Sequence, residues 1–238
     1  MAPAFVQACV NTNTGIATAT ATFGSNVTAG NLLVVLACST QATTPASSFS
    51  LSDTLANKWN PVWPTPQNPS GGSIAKFIQG WWTINTTTGA DTVTNVTNQT
   101  LFGTNILYAA EFSLGFSLAG VDQMLAAAGA GSSSVDPLSF TTTRNNEIVF
   151  VFGFTNPTIS WSGVTVNSPF VFAASTGAFD GFCAYAIAPT AGAYGFGGTY
   201  TGSGSGANTN ASAGFSIGPA TIPGTAQGPS LMQFGLGM

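Results

Sequence analysis

The chain has 238 residues, 44% of them hydrophobic and only 4% charged, with a formal net charge of −4. That hydrophobic content is not the composition of a disordered chain, and it allows one large all-β domain or two small ones. Three basic residues with no basic run leave no electrostatic footprint for nucleic acid and no basic helix for a membrane surface.

The first residues, MAPAFVQACV, lack a positive stretch followed by a long apolar core, so they do not read as a signal peptide. Thr18–Phe23 alternates and predicts a strand. Leu32–Cys38 (LLVVLAC) is apolar on both side-chain parities and short for a buried helix, so it predicts a strand covered on both faces. The Pro/Gly-rich stretch Pro61–Gly72 reads as a loop, and Gln79–Ile84, Thr92–Thr97 and Ile106–Phe112 alternate as strands do. Val121–Ala130 (VDQMLAAAGA) is the one helix-friendly stretch, and its late glycine limits it to a short helix. Ser139–Thr143, Val164–Val166, Phe182–Ile187 and Ala211–Ile217 predict further strands, and Ile148–Phe154 behaves like Leu32–Cys38. Tyr194–Gly206 (YGFGGTYTGSGSG) precedes no helix, so its glycines read as a turn or flexible loop and not as a phosphate loop. Beyond Ile217 the chain is Pro/Gly-rich and then ends in apolar Leu231, Met232, Phe234, Leu236 and Met238. Such an arm, 218–238, is expected to dock, on its own domain or on a neighbouring subunit.

The strand grammar occurs twice. Asn31 matches Asn146 and Val34 matches Val149, an offset of 115. Trp82–Ala90 matches Tyr185–Ala193, and Glu111–Gly115 matches Gly214–Gly218, both at 103. The first copy therefore carries about 12 extra residues (115 − 103), with Pro61–Gly72 as the obvious place for them. The expected fold is all-β: a jelly-roll or Ig-like β-sandwich over 1–217, built from half-repeats of about 15–120 and 130–217. The halves either pack as facing sheets with pseudo-twofold symmetry or form two separate domains.

Chemistry is poorly supplied. The chain has no histidine, which removes the usual general base, the common nucleophile pairs and the commonest metal ligand. Seven carboxylates are present, and Glu111 and Asp180 stand out because they lie beside apolar strands. Most of the others sit in turn-like contexts, where Asp bonds local backbone. Cys9, Cys38 and Cys183 show no metal or redox spacing. No metal or cofactor is expected, and the chain is read as non-enzymatic. Trp59, Trp63 and Trp81 are the candidate binding residues, for a surface glycan or a partner, against the plainer role of pinning the proline-rich loop to its sheet.

In order, the chain carries TAGNLLVV (28–35), then Asp53, Asn57 and Trp59 in D-x-x-x-N-x-W, then Trp82–Thr97, EFSLG (111–115) and TTRNNEIV (142–149). Over roughly residues 15–217 this resembles a widespread group of uncharacterised two-repeat β-sandwich proteins found among bacterial extracellular and phage structural proteins. The resemblance implies no catalytic residues. The missing signal peptide, the paucity of charge, the expected β-sandwich and the docking tail together point to a structural subunit of a virion or similar assembly, such as a capsid decoration (cement) protein or a tail or fibre component, assembled in the host cytoplasm. That subunit would self-associate and bind other virion proteins. The alternatives are a secreted carbohydrate-binding or adhesive module at the cell surface, and a subunit of an extracellular filament.

Overall fold

The computed structural model describes residues 2–14, 17–41, 48–68, 75–97, 104–115, 120–129, 134–154, 160–175, 181–203 and 210–219. The apolar residues Leu231, Met232, Phe234, Leu236 and Met238 of the predicted arm lie outside this set. The described residues form sixteen strands and no helix. The first eight are β1 (Ala4–Thr14), β2 (Thr18–Thr22), β3 (Leu32–Gln41), β4 (Phe49–Asp53), β5 (Asn60–Pro61), β6 (Ala75–Ile84), β7 (Thr92–Thr97) and β8 (Thr104–Ser113). The second eight are β9 (Gly120–Gly129), β10 (Ser134–Thr142), β11 (Glu147–Phe154), β12 (Ser160–Val166), β13 (Val171–Ser175), β14 (Gly181–Ala188), β15 (Gly192–Ser203) and β16 (Asn210–Gly218).

The first eight strands make a five-stranded sheet, β1-β8-β3-β6-β5, and a three-stranded sheet, β2-β7-β4. The second eight make β9-β16-β11-β14-β13 and β10-β15-β12, the same orders one copy later. All pairings are antiparallel. The duplication expected from the sequence is therefore present strand for strand.

Three apolar cores separate four layers. Leu33, Val35 and Ala37 of β3 face Ala19, Ala21 and Val93 of the first small sheet. Leu32, Val34, Leu36 and Cys38 face the other way, onto Ile148, Phe150 and Phe152 of β11 and Phe215 of β16. Val149 and Val151 then turn to Leu138 and Phe140 of the second small sheet. The order of layers is small, large, large, small. A strand alternates its side chains between faces, so a strand in an inner layer must be apolar at every position. That is why β3 and β11 lack the alternation of the other strands.

The two large sheets meet through aromatic pairs: Tyr108 with Phe152 (ring centroids 5.1 Å), Phe112 with Phe150 (6.4 Å), Phe112 with Tyr185 (5.4 Å) and Phe5 with Tyr185 (4.7 Å, stacked). Trp63 meets Phe215 edge-on at 6.4 Å on the opposite side. Edge strand β1 thus lies over edge strand β13, and β6 lies over β16. That arrangement is pseudo-twofold: β8 against β14 on one side mirrors β6 against β16 on the other.

Several expectations change. Val121–Ala130 is not a short helix; through Gly129 it belongs to strand β9, whose residues pair along β16 from Gly120↔Gly218 to Gly129↔Asn210. Leu125 and Ala127 pack on the second outer core, and tertiary packing overrides a weak helix preference. The glycine run from Tyr194 is not a loop through Ser203; it is part of β15, the central strand of its sheet. A Cβ on Gly198 would collide with the Thr165 carbonyl oxygen, so glycine there permits close approach of β12. The N-terminal strand β1 and the edge strands β4 and β13 escaped the sequence reading. The strands divide at residues 113–120, with the first copy starting at Ala4 and the second at Gly120.

The offset between copies also shifts. Leu32 and Ile148 face Ile84 and Ile187 in their ladders, so the central strands are 116 apart (148 − 32), one more than the sequence match. Gly30 and Asn146, at the same spacing, both have positive φ (88° and 62°). The same spacing relates the bulges in β1 (between Phe5 and Gln7) and β9 (between Val121 and Gln123). Matching by identical letters put Val34 on Val149, which point to opposite faces; the ladders put Val34 on Phe150.

Because the middle core is shared, the halves should unfold together. Phe215→Ala in the second half should cost about 3–5 kcal/mol, as large-to-small aromatic core changes do. Urea titration followed by hydrogen exchange should show β3, in the first half, losing protection at the same midpoint as β11. Independent midpoints would refute the coupling.

Candidate interaction surface and buried polar sites

The predicted tryptophans form no common binding face: Trp59 and Trp81 pack on the first outer core and Trp63 on the middle core. Trp63 is 5% and Trp81 6% exposed. Trp63 closes the seam between the large sheets, and the Gln79 amide donates to its carbonyl oxygen at 2.9 Å. Trp81 points the opposite way from its neighbour's face, into the first outer core, where it meets Phe49 edge-on. Both are packing residues, with no ring face free for a sugar. Trp59 is half-buried, and its indole N–H donates to Asp53 Oδ2 at 2.9 Å.

The D-x-x-x-N-x-W pattern is a turn lock. Asp53 accepts from the Asn57 backbone N–H (2.9 Å) and side-chain amide (3.0 Å), as well as from Trp59. Asn57 Oδ1 in turn accepts from the Thr86 N–H at 3.1 Å, tying the turn after β4 to the loop after β6. Asp91 sits nearby, 1% exposed. Burial and then the Asp53 charge push its carboxyl up, against hydrogen bonds from Thr54 and the Thr92 amide.

A second polar device occurs in both copies, with the carboxylate moved. In the first copy Glu111 of β8 is fully buried. It accepts from Gln7 Nε2 (2.6 Å), the Thr28 N–H (2.8 Å) and Asn31 Nδ2 (2.6 Å), fastening the turn that enters β3. In the second copy the position matching Asn31 is Glu147, whose Oε1 accepts from the Arg144 N–H at 2.9 Å. Asp122, the bulge residue of β9, accepts from the Thr143 N–H (2.7 Å) and hydroxyl (2.6 Å) and lies 3.8 Å from the Arg144 guanidinium. A Cβ on Gly218 would collide with Glu147 Cγ, so glycine there makes room for the relocated side chain. Of the two carboxylates singled out earlier, Glu111 is thus a turn fastener, and Asp180 lies outside the described residues.

Burial raises the Glu147 carboxyl, helped by neighbouring Asp122, while Ser216 and the Arg144 amide oppose the shift. Burial also pushes Asp122 up, but Thr143, Glu147 and the Arg144 charge outweigh it and hold that carboxyl below its ordinary range. Among the described residues no three His, Cys, Asp or Glu side chains stand close enough to hold a metal ion. Burial pushes the Cys9 thiol to about 12 and the Cys183 thiol up as well, which suits packing and not nucleophilic chemistry.

The remaining feature with interaction character is the rim. Val6 on β1, Met124 on β9, and Val171 and Phe172 on β13 are 42–50% exposed. All three strands are edges of the large sheets. Open edges are usually blunted by lysine, proline or short length. Among the four edges of the two large sheets, only β5, two residues long and ending in Pro61, is blunted this way. Strand β1 (AFVQACVNTNT) contains no charged residue and no proline, and β9 (GVDQMLAAAG) contains only Asp122. This rim was not foreseen, because β1, β9 and β13 were not recognised as strands.

Glu147 favours its protonated form in the fold. The stability it contributes is complete below the ordinary glutamate value of 4.5 and is lost as pH rises through its raised value. Glu147→Gln should flatten that decline in urea midpoints measured from pH 4 upward; an unchanged slope would show that the decline comes from Asp91 instead. No family model, curated protein or solved structure matches the chain.

Proposed function

We propose that the chain is a non-enzymatic structural subunit that self-associates through its open sheet edges, in a virion or similar particle. Within such a particle it would serve as a capsid decoration (cement) protein or a tail or fibre component, in contact with other virion proteins. The observation that carries this is the rim of open edges β1, β9 and β13, which exposes apolar side chains and carries a single charged residue, Asp122. Unpaired strands with exposed Val6, Met124, Val171 and Phe172 are templates for pairing with another chain. A surface this poor in charge is also weakly defended against association.

Each half reads as a jelly roll, with eight strands in two sheets and its first and eighth strands adjacent. Jelly rolls serve in capsids and in lectins alike, so the fold supports the reading without selecting it. The same rim would equally serve an extracellular filament. The carbohydrate-binding alternative now rests on Trp59 alone among the three tryptophans, since the other two are buried.

Light scattering across a range of concentrations, with negative-stain imaging, tests the assembly reading. Oligomers or ordered particles are expected, and Phe172→Lys together with Val171→Lys should weaken association at least about tenfold, or 1.4 kcal/mol. A strict monomer that binds glycans, with binding abolished by Trp59→Ala, would replace this reading with the lectin-like one.

A further inference from the structure

The four edges of the large sheets are unequal as templates for another chain. Strand β9 pairs with β16 from Gln123 to Gly129 without a break in register, and among the described residues no strand pairs with its other side. Strand β13 has five residues and a bulge between Phe172 and Ala174, and β5 has two residues. Strand β1 is longer, but it lies over β13, so a strand added to β1 must also fit the bulged edge beside it. Strand β9 is also the edge with a bare inner face. Its Met124 and Ala126 face the same way as Phe215 and Ala213, toward the middle core. At the matching ladder positions of β1, Ala8 and Val10 are part-buried beneath the same core, with Ala173 and Ala174 of β13 packed on it. The counterpart of β13 beside β9 is only β5, and Met124 and Ala126 are left exposed, Met124 by 48%.

We infer that β9 pairs antiparallel with β9 of a second copy, about a twofold axis that passes through Leu125. This rests on the self-association reading and names the edge, the partner and the register. The sequence of β9 selects that partner, because its bulk is divided at the axis. Val121, Asp122, Gln123 and Met124 precede Leu125, and Ala126, Ala127, Ala128 and Gly129 follow it. Antiparallel pairing about Leu125 therefore sets large residues against small ones. Met124 stands opposite the partner's Ala126, and Gln123 opposite the partner's Ala127. Residues directly opposite in such a ladder share a face at about 4.5–5.5 Å between Cα atoms, so the flexible Met124 side chain lies over the partner's Ala126. Symmetry repeats the contact, and each copy covers the bare face of the other. Charge agrees with this register. Asp122 is the one charged residue of β9, and it falls opposite the partner's Ala128. The two Asp122 positions are then six residues apart along the ladder, or about 20 Å, well beyond a Debye length of about 8 Å. A contact one strand wide is small beside the roughly 1,600 Å² of a standard interface, so the dimer should dissociate on dilution. The flank formed by β1 and β13 stays free for a second contact.

The test mixes equal amounts of two full-length variants, Met124→Cys and Ala126→Cys, and oxidises them mildly at high concentration. The unmutated chain, with its native Cys9, Cys38 and Cys183, sets the background. Directly opposite positions suit a disulfide, whereas the 124–124 and 126–126 pairs are diagonal at about 7–8 Å, so the mixed 124–126 disulfide should exceed either like pair at least about tenfold, against about twofold for random collision. Peptide mass identifies the three products. In a second arm, Met124→Lys with Ala126→Lys gathers four ammonium groups around the axis and should weaken dimerisation at least about tenfold in sedimentation of a dilution series. With Val171→Lys and Phe172→Lys, association should instead stop at the dimer. All four positions except Leu125-facing neighbours are solvent-exposed, so circular dichroism should be unchanged in every variant. Random disulfide proportions, with association that ignores the lysines at 124 and 126, would overturn this inference and leave assembly to another edge. A strict monomer at every concentration would overturn both this inference and the assembly reading.

Discussion

The whole architecture depends on one constraint: the central strands of both large sheets are apolar on two faces. A sheet with two apolar faces needs a layer on each side, and neither half has three layers of its own. Each half supplies one small sheet to cover one face of its large sheet. The other face is covered only by the partner half. Leu32, Val34 and Leu36 on one side and Ile148, Phe150 and Phe152 on the other therefore join the copies into one body. The aromatic pairs across that plane add shape to a contact whose driving force is burial.

Much of this was legible in the sequence because alternation, and its local failure, is a direct record of layer position. LLVVLAC and EIVFVFGF announced inner strands, and their recurrence announced the duplication. What escaped had physical reasons. Strand β9 is alanine-rich, and its strand character comes from pairing with β16, a partner more than eighty residues away. Strand β15 is glycine-rich because β12 presses on it, so its composition mimics a loop. Strand β1 mixes polar and apolar residues because one face meets the middle core and the other bonds outward, with Asn11 and Asn13 donating to the Thr20 and Thr18 carbonyls of β2. The candidate site fared worse. Trp59, Trp63 and Trp81 stood in sequence as candidate binding residues against a packing role, and which of them is buried depends on the core each meets, while the exposed rim could be seen only once the sheet edges were known.

The two copies show which polar features the fold requires and which it merely tolerates. The turn into the central strand needs a residue at positive φ and a carboxylate to fasten its amides. Gly30 and Asn146 fill the first role at equivalent positions. The second is filled from β8 in one copy, and from β9 and the first residue of β11 in the other. What persists is the demand of the exposed amides, not the side chain that answers it.

The face-to-face packing of the large sheets is that of a twofold homodimer whose subunits have been joined end to end through residues 114–119. In a true homodimer the two flanks of the interface are made by the same sequence and must be identical. Fusion removes that obligation. One flank could keep β13 as a lid while the other shortened to β5, gained residues and spent Trp63 on a narrower seal. An internally duplicated chain of this kind has a left and a right, and a surface that fits one flank of the stack need not fit the other.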